Sequence, residues 1–541
     1  MKTIHQTPAT RRAMNLAYFV TQNAKRFPAR TALVWRSKSW TWSELEARVS
    51  AAAAALLALG VKQGEAVLVH SKNSHEMLES MLATFRIGAV WVPTNFRLMP
   101  DDVAYMAEVT QPRVFLCQTD FPEFAERVRK TIPSVKAVWL TGETRINVDE
   151  TTFEELVDVQ DCRTTANVAV EWDSACWLFF TSGTTGRPKA AVLTHGQLGY
   201  VVTNHLCDLM PGSTEEDGSL VLAPLSHGAG VHQLNMIARG GKTVLMPSDK
   251  FDAQTAFSLI EQYRLTNLFT VPTILKMLVE DPSVDHFDHS SLRYVVYAGA
   301  PMYRKDQQLA LKKLGPVLVQ YYGLAEATGN ITVLPPREHD IGDQERRPGT
   351  CGFERTGMQV SVQDEDGNEL EAGQTGEICV VGPAVFAGYF ENPEANAKSF
   401  RNGWFRTGDL GYRDNEGYIY LTGRSSDMYI SGGSNIYPRE IEEKVLMHEA
   451  ISEVSIVGVP DPKWGEVGVA VCVLKDGSAV DEPVLLDWLS EKVARYKMPR
   501  RVFFWDALPK SGYGKVPKNM VKEELRKRGL VSGSGGIDAQ R

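Results

Sequence analysis

Thr181-Ser182-Gly183-Thr184-Thr185-Gly186-Arg187-Pro188-Lys189 follows an apolar run, Ala175 to Phe180 (ACWLFF), with the length and make-up of a buried strand. The strand delivers the chain into a loop of two glycines and four hydroxyl side chains, which closes on a proline and a lysine. Such a loop is suited to phosphate: glycines let the backbone approach, N–H and O–H groups donate, and the lysine adds charge. It is not the phosphate loop of kinases and ATPases. That motif needs Gly-Lys-[Ser/Thr], whereas Gly186 is followed by Arg187 and Lys189 by Ala190. Taken alone, the stretch would also serve as a Gly/Thr-rich surface turn.

On both sides of this loop the pattern alternates. Upstream, Trp42 to Gly60 reads as an amphipathic helix, 65–71 as a strand, 74–89 as a helix, 90–95 as a strand and 100–111 as a helix before the strand VFLC. Downstream, 219–224, 242–246, 267–271, 292–299 and 316–323 are short apolar strands separated by helix-sized segments. This predicts an α/β fold with a mainly parallel sheet covered on both faces. Ligands collect beyond the carboxyl ends of such strands. There lie PLSHGAG (224–230), AGAP (298–301) and YYGLAEAT (321–328), three loops expected to converge on the phosphate loop.

Past Pro336 the runs become β-rich with Gly and Asp turns, which predicts a small antiparallel or barrel subdomain ending at Arg424. From Ser425 the pattern predicts a compact α+β domain. The expected division is 1–424 and 425–541, with a hinge near 424–427.

At 541 residues more than one core is expected. A formal charge of -8 offers no basic stripe, which argues against nucleic acid and anionic lipid as partners. Seven scattered cysteines without a Cys-x-x-Cys pair read as free thiols in a reducing compartment. No stretch has signal-peptide or membrane-spanning character, so a cytoplasmic protein without a transmembrane segment is expected. A homodimer is among the assemblies such a chain could form.

TSGTTGRPK, YYGLAE, WFRTGD, TGR (422–424) and PKSGYGKVPK (509–518), in this order, resemble the adenylate-forming superfamily of acyl-CoA synthetases, adenylation domains and luciferases. The resemblance runs from about Leu16 to about Leu530. It implies ATP, Mg2+ and coenzyme A as the small molecules bound, together with a carboxylic acid substrate.

By that resemblance Thr181, Ser182, Gly183, Thr184, Thr185, Gly186 and Lys189 cradle the phosphates, and Glu326 with Thr181 holds Mg2+, for which hard oxygen donors are suited. Tyr322 lies against the adenine, with Gly299, Ala300 and Pro301 on the base's other side, and Tyr321, Gly323, Leu324 and Ala325 of the same motif count among the cofactor-binding residues. Asp409 takes the ribose hydroxyls and Arg424 is its basic companion. Lys515 corresponds to the catalytic lysine, brought by the small domain onto the phosphorus under attack. Gly432 and Gly433 would pass the pantetheine arm, and Trp464 resembles a position that packs on coenzyme A; a buried structural tryptophan reads equally well. His227 aligns beside the acyl site, as catalytic gate or as a core histidine. Small residues around it (Gly228, Ala229, Gly230, Gly323, Leu324, Gly329) suit a hydrophobic acid, medium to long aliphatic or aromatic.

Two positions depart from the family. Ala325 stands where a threonine is usual, with backbone donors or Thr328 as substitutes, and Ser426 stands at the hinge. The implied activity is carboxylate–CoA ligation through an acyl-adenylate. The alternatives are a ligase that loads a carrier protein and a nucleotide-binding sensor without turnover.

Overall fold

The computed structural model describes residues 12–142, 151–159, 165–181, 187–300, 302–339, 347, 349–510 and 516–531. The apolar run before the quoted loop forms the strand Ala175–Thr181. Lys189–Thr194 returns antiparallel to it, with Thr181 opposite Lys189, so the loop joins the arms of a hairpin.

This hairpin edges a six-stranded sheet ordered Lys136–Leu140, Val114–Gln118, Ala66–His70, Val90–Thr94, Ala175–Thr181 and Lys189–Thr194. Every pair except the hairpin is parallel. Uninterrupted burial along Ala66–His70, Val90–Thr94 and Val114–Gln118 explains why these strands carry continuous apolar runs in place of alternation. The helix Trp42–Ala58 starts at a capping box between Thr41 and Glu44, and His75–Arg86 starts where the Ser74 side chain accepts from the Met77 amide.

The second sheet holds a parallel block: Leu318–Tyr322, Tyr294–Tyr297, Asn267–Thr270, Gly218–Val221, Lys242–Leu245 and Thr31–Trp35. The β-rich region expected as a separate subdomain is hydrogen-bonded onto this block. Thr332–Leu334 pairs antiparallel with Leu318–Tyr322 on one side and Thr350–Glu354 on the other, and Tyr418–Arg424, Trp404–Arg413, Gly376–Val381 and Gln359–Gln363 follow. The reason is local: the chain turns at Gly329 and pairs back on the strand it has just left. As a result Tyr322, Asp409 and Arg424 share one sheet.

The largest core lies between the two sheets. Trp42, Trp91 and Trp177 are fully buried in it, and the rings of Trp91 and Trp177 meet edge to face at 4.6 Å. The helices His195–Asp208 and Gly228–Arg239 belong to the same core. Residues after Arg424 build another sheet, in which Ile451–Asp461 and Gly465–Leu474 pair antiparallel around Tyr429, Ile456 and Ala470. Among the described residues no helix is long and apolar enough to cross a membrane.

Candidate active site

Glu326 sits in the one-turn helix Ala325–Ala327, just past the carboxyl end of Leu318–Tyr322. It is only 6% exposed. Its Oε1 lies 3.3 Å from the hydroxyl of Thr181, at the root of the phosphate loop, and accepts from the hydroxyl of Tyr389 at 2.8 Å. The Lys189 ammonium stands 4.5 Å above the Tyr389 ring. A buried carboxylate, two hydroxyls and a cation thus meet at one edge of the crevice, across 145 residues of chain between Thr181 and Glu326. Burial and the neighbouring Glu326 push the Tyr389 phenol well above its ordinary range, so it stays a donor.

The turn that carries Glu326 is held from behind. Gln197, which closes the capping box of its helix with Thr194, donates its amide to the Thr328 hydroxyl at 2.7 Å and to the Ala384 carbonyl at 2.8 Å. The Phe386 amide donates to the Glu326 carbonyl at 2.7 Å. Thr328, suggested as a stand-in for the hydroxyl missing at Ala325, is buried and its oxygen accepts from Gln197, which leaves its own O–H as a donor. Gln197 thereby ties the turn to its helix.

Tyr322 and Tyr321 are neighbours on one strand and point to opposite faces. Tyr322 donates to Asp409 Oδ2 at 2.7 Å, and the other Asp409 oxygen faces Arg424 Nε at 3.0 Å. Asp409 and Arg424 are cross-strand partners. Ser425, next along the chain, is tied through its amide and hydroxyl to the Gly408 carbonyl at 3.0 and 3.1 Å. Gly299 and Ala300 are exposed at the end of Tyr294–Tyr297. Tyr321, named among the cofactor-binding residues, lies on the face opposite Tyr322 and against Phe269, with ring centroids 6.0 Å apart.

His227 precedes the helix Gly228–Arg239; its Nδ1 is 2.8 Å from the Ser226 hydroxyl and its ring meets Phe179 edge-on at 5.3 Å. It is partly exposed, so it is not an enclosed core histidine. In the C-terminal region the Gly432 amide donates to the Trp464 carbonyl, and the Trp464 ring covers Gly432, where a Cβ would meet it at 2.8 Å. Gly432 has φ +56, which suits a residue without a side chain. Trp464 is 39% exposed, which removes the buried structural reading, and Lys463 and Arg500 lie 5.1 and 5.7 Å from its ring. Ser182, Gly183, Thr184, Thr185, Gly186, Pro301 and Lys515 fall outside the described residues.

Two positions that hold the site were not among the sequence candidates: Tyr389 and Gln197. Tyr389 lies in FAGYFENPE, an irregular stretch whose glycine and clustered aromatics were the available signal.

The sequence pattern of the AMP-binding enzyme family matches residues 20–390, and that of the AMP-binding enzyme C-terminal domain matches residues 440–515. The chain belongs to the AMP-binding enzyme family. A feruloyl-CoA synthase of an Amycolatopsis species is 36% identical over 521 residues, covering 96% of this chain and 99% of its own. An indoleacetate–CoA ligase of Aromatoleum aromaticum is 33% identical, covering 95% and 99%. The solved o-succinylbenzoate CoA synthetase of Bacillus subtilis, in complex with its acyl-adenylate intermediate, superimposes with a TM-score of 0.81 at 30% identity, covering 93% of this chain and 97% of its own. Both parts of the AMP-binding enzyme architecture are thus matched in one chain; TSGTTGRPK and YYGLAE fall within the first matched region and Lys515 ends the second, while WFRTGD and TGR lie between the two.

Proposed function

We propose that this AMP-binding enzyme is an ATP-dependent carboxylate–CoA ligase. It joins a hydrophobic acid, fatty or aromatic, to AMP with release of pyrophosphate, then passes the acyl group to coenzyme A with release of AMP. The observation that carries this reading is the meeting of Glu326, Thr181, Tyr389 and Lys189 at the mouth of the phosphate loop.

In the first step a carboxylate oxygen of the acid bonds to the α-phosphorus of ATP and the bond to the pyrophosphate oxygen breaks. Negative charge gathers at that centre, and catalysis consists mainly of placing cations and donors around it. Lys189 and the hydroxyls of residues 181–185 would neutralise the β- and γ-phosphates. The oxygens of Glu326 and Thr181, 3.3 Å apart, are hard donors that fit Mg2+. When bound at these two residues, that ion would supply positive charge to offset that of the phosphates. Asp409, held by Tyr322 and Arg424, would accept from the ribose hydroxyls, while Gly299, Ala300 and Pro301 line the base.

Lys515, on the small domain, would bring its charge to the α-phosphate, so the two lobes, 1–424 and 425–541, must close over the nucleotide by rotation near 424–427. In the second step the coenzyme A sulfur bonds to the acyl carbon and AMP leaves. Gly432, Gly433 and Trp464, with Lys463 and Arg500 beside its ring, support a place for coenzyme A.

The test is AMP formation by the full-length protein from ATP, Mg2+ and a panel of carboxylic acids, with and without coenzyme A. The expected result is coenzyme-A-dependent AMP release with a hydrophobic acid, pyrophosphate exchange without coenzyme A, and loss of both in Lys515→Ala. Acyl transfer to a carrier protein in place of coenzyme A would overturn the acceptor. ATP binding without AMP from any acid would overturn the ligase.

A further inference from the structure

Tyr321 is set with more care than packing requires. Its ring stacks near-parallel on Phe269, with centroids 6.0 Å apart, and Gly329 also lies against it, where a Cβ would meet the ring at 2.5 Å. Gly329 has φ +75, so the turn both needs glycine and depends on its missing side chain. At the tip, the hydroxyl lies 3.4 Å from the point a Cβ on Gly228 would occupy, beside His227 and at the partly exposed start of the helix Gly228–Arg239.

The residue is 9% exposed, yet its hydroxyl makes no hydrogen bond with any described residue and is not among the fully enclosed polar atoms. It therefore reaches open space. Phenylalanine would pack the same way, so the hydroxyl adds nothing to the core and is available to a partner from outside the protein. The surrounding walls are flat: Phe179 is edge-on to His227 at 5.3 Å and stacked on Trp177 at 5.9 Å, and Phe269 lies beneath. Phe269 closes over Gly228, where a Cβ would meet its ring at 2.9 Å, so these rings and the Tyr321 hydroxyl form one wall around this glycine.

Resting on the ligase reading, we propose that Tyr321 determines specificity by hydrogen-bonding an oxygen substituent on the ring of an aromatic carboxylic acid, with His227 at the carboxylate end. A phenol both donates and accepts, so it pairs with a hydroxyl or an ether oxygen. An unbranched alkyl acid offers no such partner and would leave the hydroxyl unpaired, which a site built for hydrogen bonding penalises.

The experiment compares kcat/KM for AMP release with matched acids: 3-phenylpropenoic acid and its 4-hydroxy counterpart, benzoic acid and its 4-hydroxy counterpart, and an unbranched alkanoic acid of similar length. The wild type is expected to favour the oxygenated member of at least one pair by about tenfold, and Tyr321→Phe to erase that preference, mainly through KM. A preference ratio unchanged by Tyr321→Phe, or an alkanoic acid preferred over every aryl acid, would overturn the proposal while leaving the ligase reading intact. No AMP from any acid would overturn both.

Discussion

The hydroxyl of Tyr389 donates to Glu326 Oε1 at 2.8 Å, across 63 residues of chain, while the same ring lies 4.5 Å beneath the Lys189 ammonium. One side chain therefore fixes the carboxylate proposed to hold the metal and seats the cation proposed to meet the phosphates. Tyr389→Phe would keep the ring under Lys189 and remove only the hydrogen bond to Glu326. A hydrogen bond to a charged group contributes about 1.5–3 kcal/mol, so adenylation should slow by roughly ten- to a hundredfold with the fold intact. Pyrophosphate exchange at saturating ATP measures it, and a rate unchanged from wild type would mean that Glu326 needs no such support.

Glu326→Gln tests the metal directly. The amide keeps the size of the side chain but offers Mg2+ a neutral oxygen, so the Mg2+ concentration giving half-maximal activity should rise by about tenfold or more. A titration of activity against Mg2+ with ATP held fixed separates this from a simple loss of rate.

At Asp409, both oxygens are engaged by protein groups, one by Tyr322 and one by Arg424. The carboxylate is thus oriented by its own neighbours. Asp409→Asn should raise the Kd for ATP by about tenfold or more, because it weakens two charge-assisted bonds and leaves the Arg424 charge unbalanced. Calorimetry on ATP binding is the readout, and unaltered affinity would remove Asp409 from the ribose site.

Much of this was legible in the sequence, for a physical reason. The strand runs buried on both faces are continuous and apolar, and the loops that follow them concentrate glycine and hydroxyls, so Glu326, Tyr322 and Asp409 stand out within short motifs. What could not be read were the residues that act at a distance. Gln197 looks like a helix-capping residue, which it is; that its amide also crosses to Thr328 depends on how the helix His195–Asp208 packs. Tyr321 sits inside the same motif as Tyr322, yet its strand face was not legible. Alternation makes only one of two adjacent tyrosines face the nucleotide, and the sequence does not say which sheet face that is. The continuity of the β-rich region with the parallel sheet was hidden likewise, since pairing partners are not encoded in local composition.

Gly323 offers a stability test. A Cβ there would lie 2.5 Å from the Gly329 backbone, closer than any real contact. Gly323→Ala must push apart the two arms of the turn that carries Glu326, at a cost of about 1–3 kcal/mol. The urea midpoint should fall with unchanged slope, and activity should fall further than stability does.

Acid should unfold this protein early. Burial pushes His70 down to about 3 and His195, His232 and His339 down to about 4, from an ordinary value of 6.5. The unfolded chain takes up these protons below about pH 6.5 while the folded chain refuses them until about pH 4, so acidification through that window favours unfolding. Each histidine contributes about 3 kcal/mol at the bottom of the window, and four together approach the whole stability of a typical domain. Glu76, pushed up to about 7 by burial, works in the opposite direction, since the folded chain holds its proton between about 4.5 and 7. One such group offsets one histidine and leaves the sign unchanged. The melting temperature should therefore decline steadily from pH 6.5 toward pH 4, and His70→Phe, which replaces a ring stacked on Phe124 at 4.0 Å, should flatten the decline. A melting temperature constant between pH 7 and 5 would show that these imidazoles take up protons as readily in the folded chain as in the unfolded one.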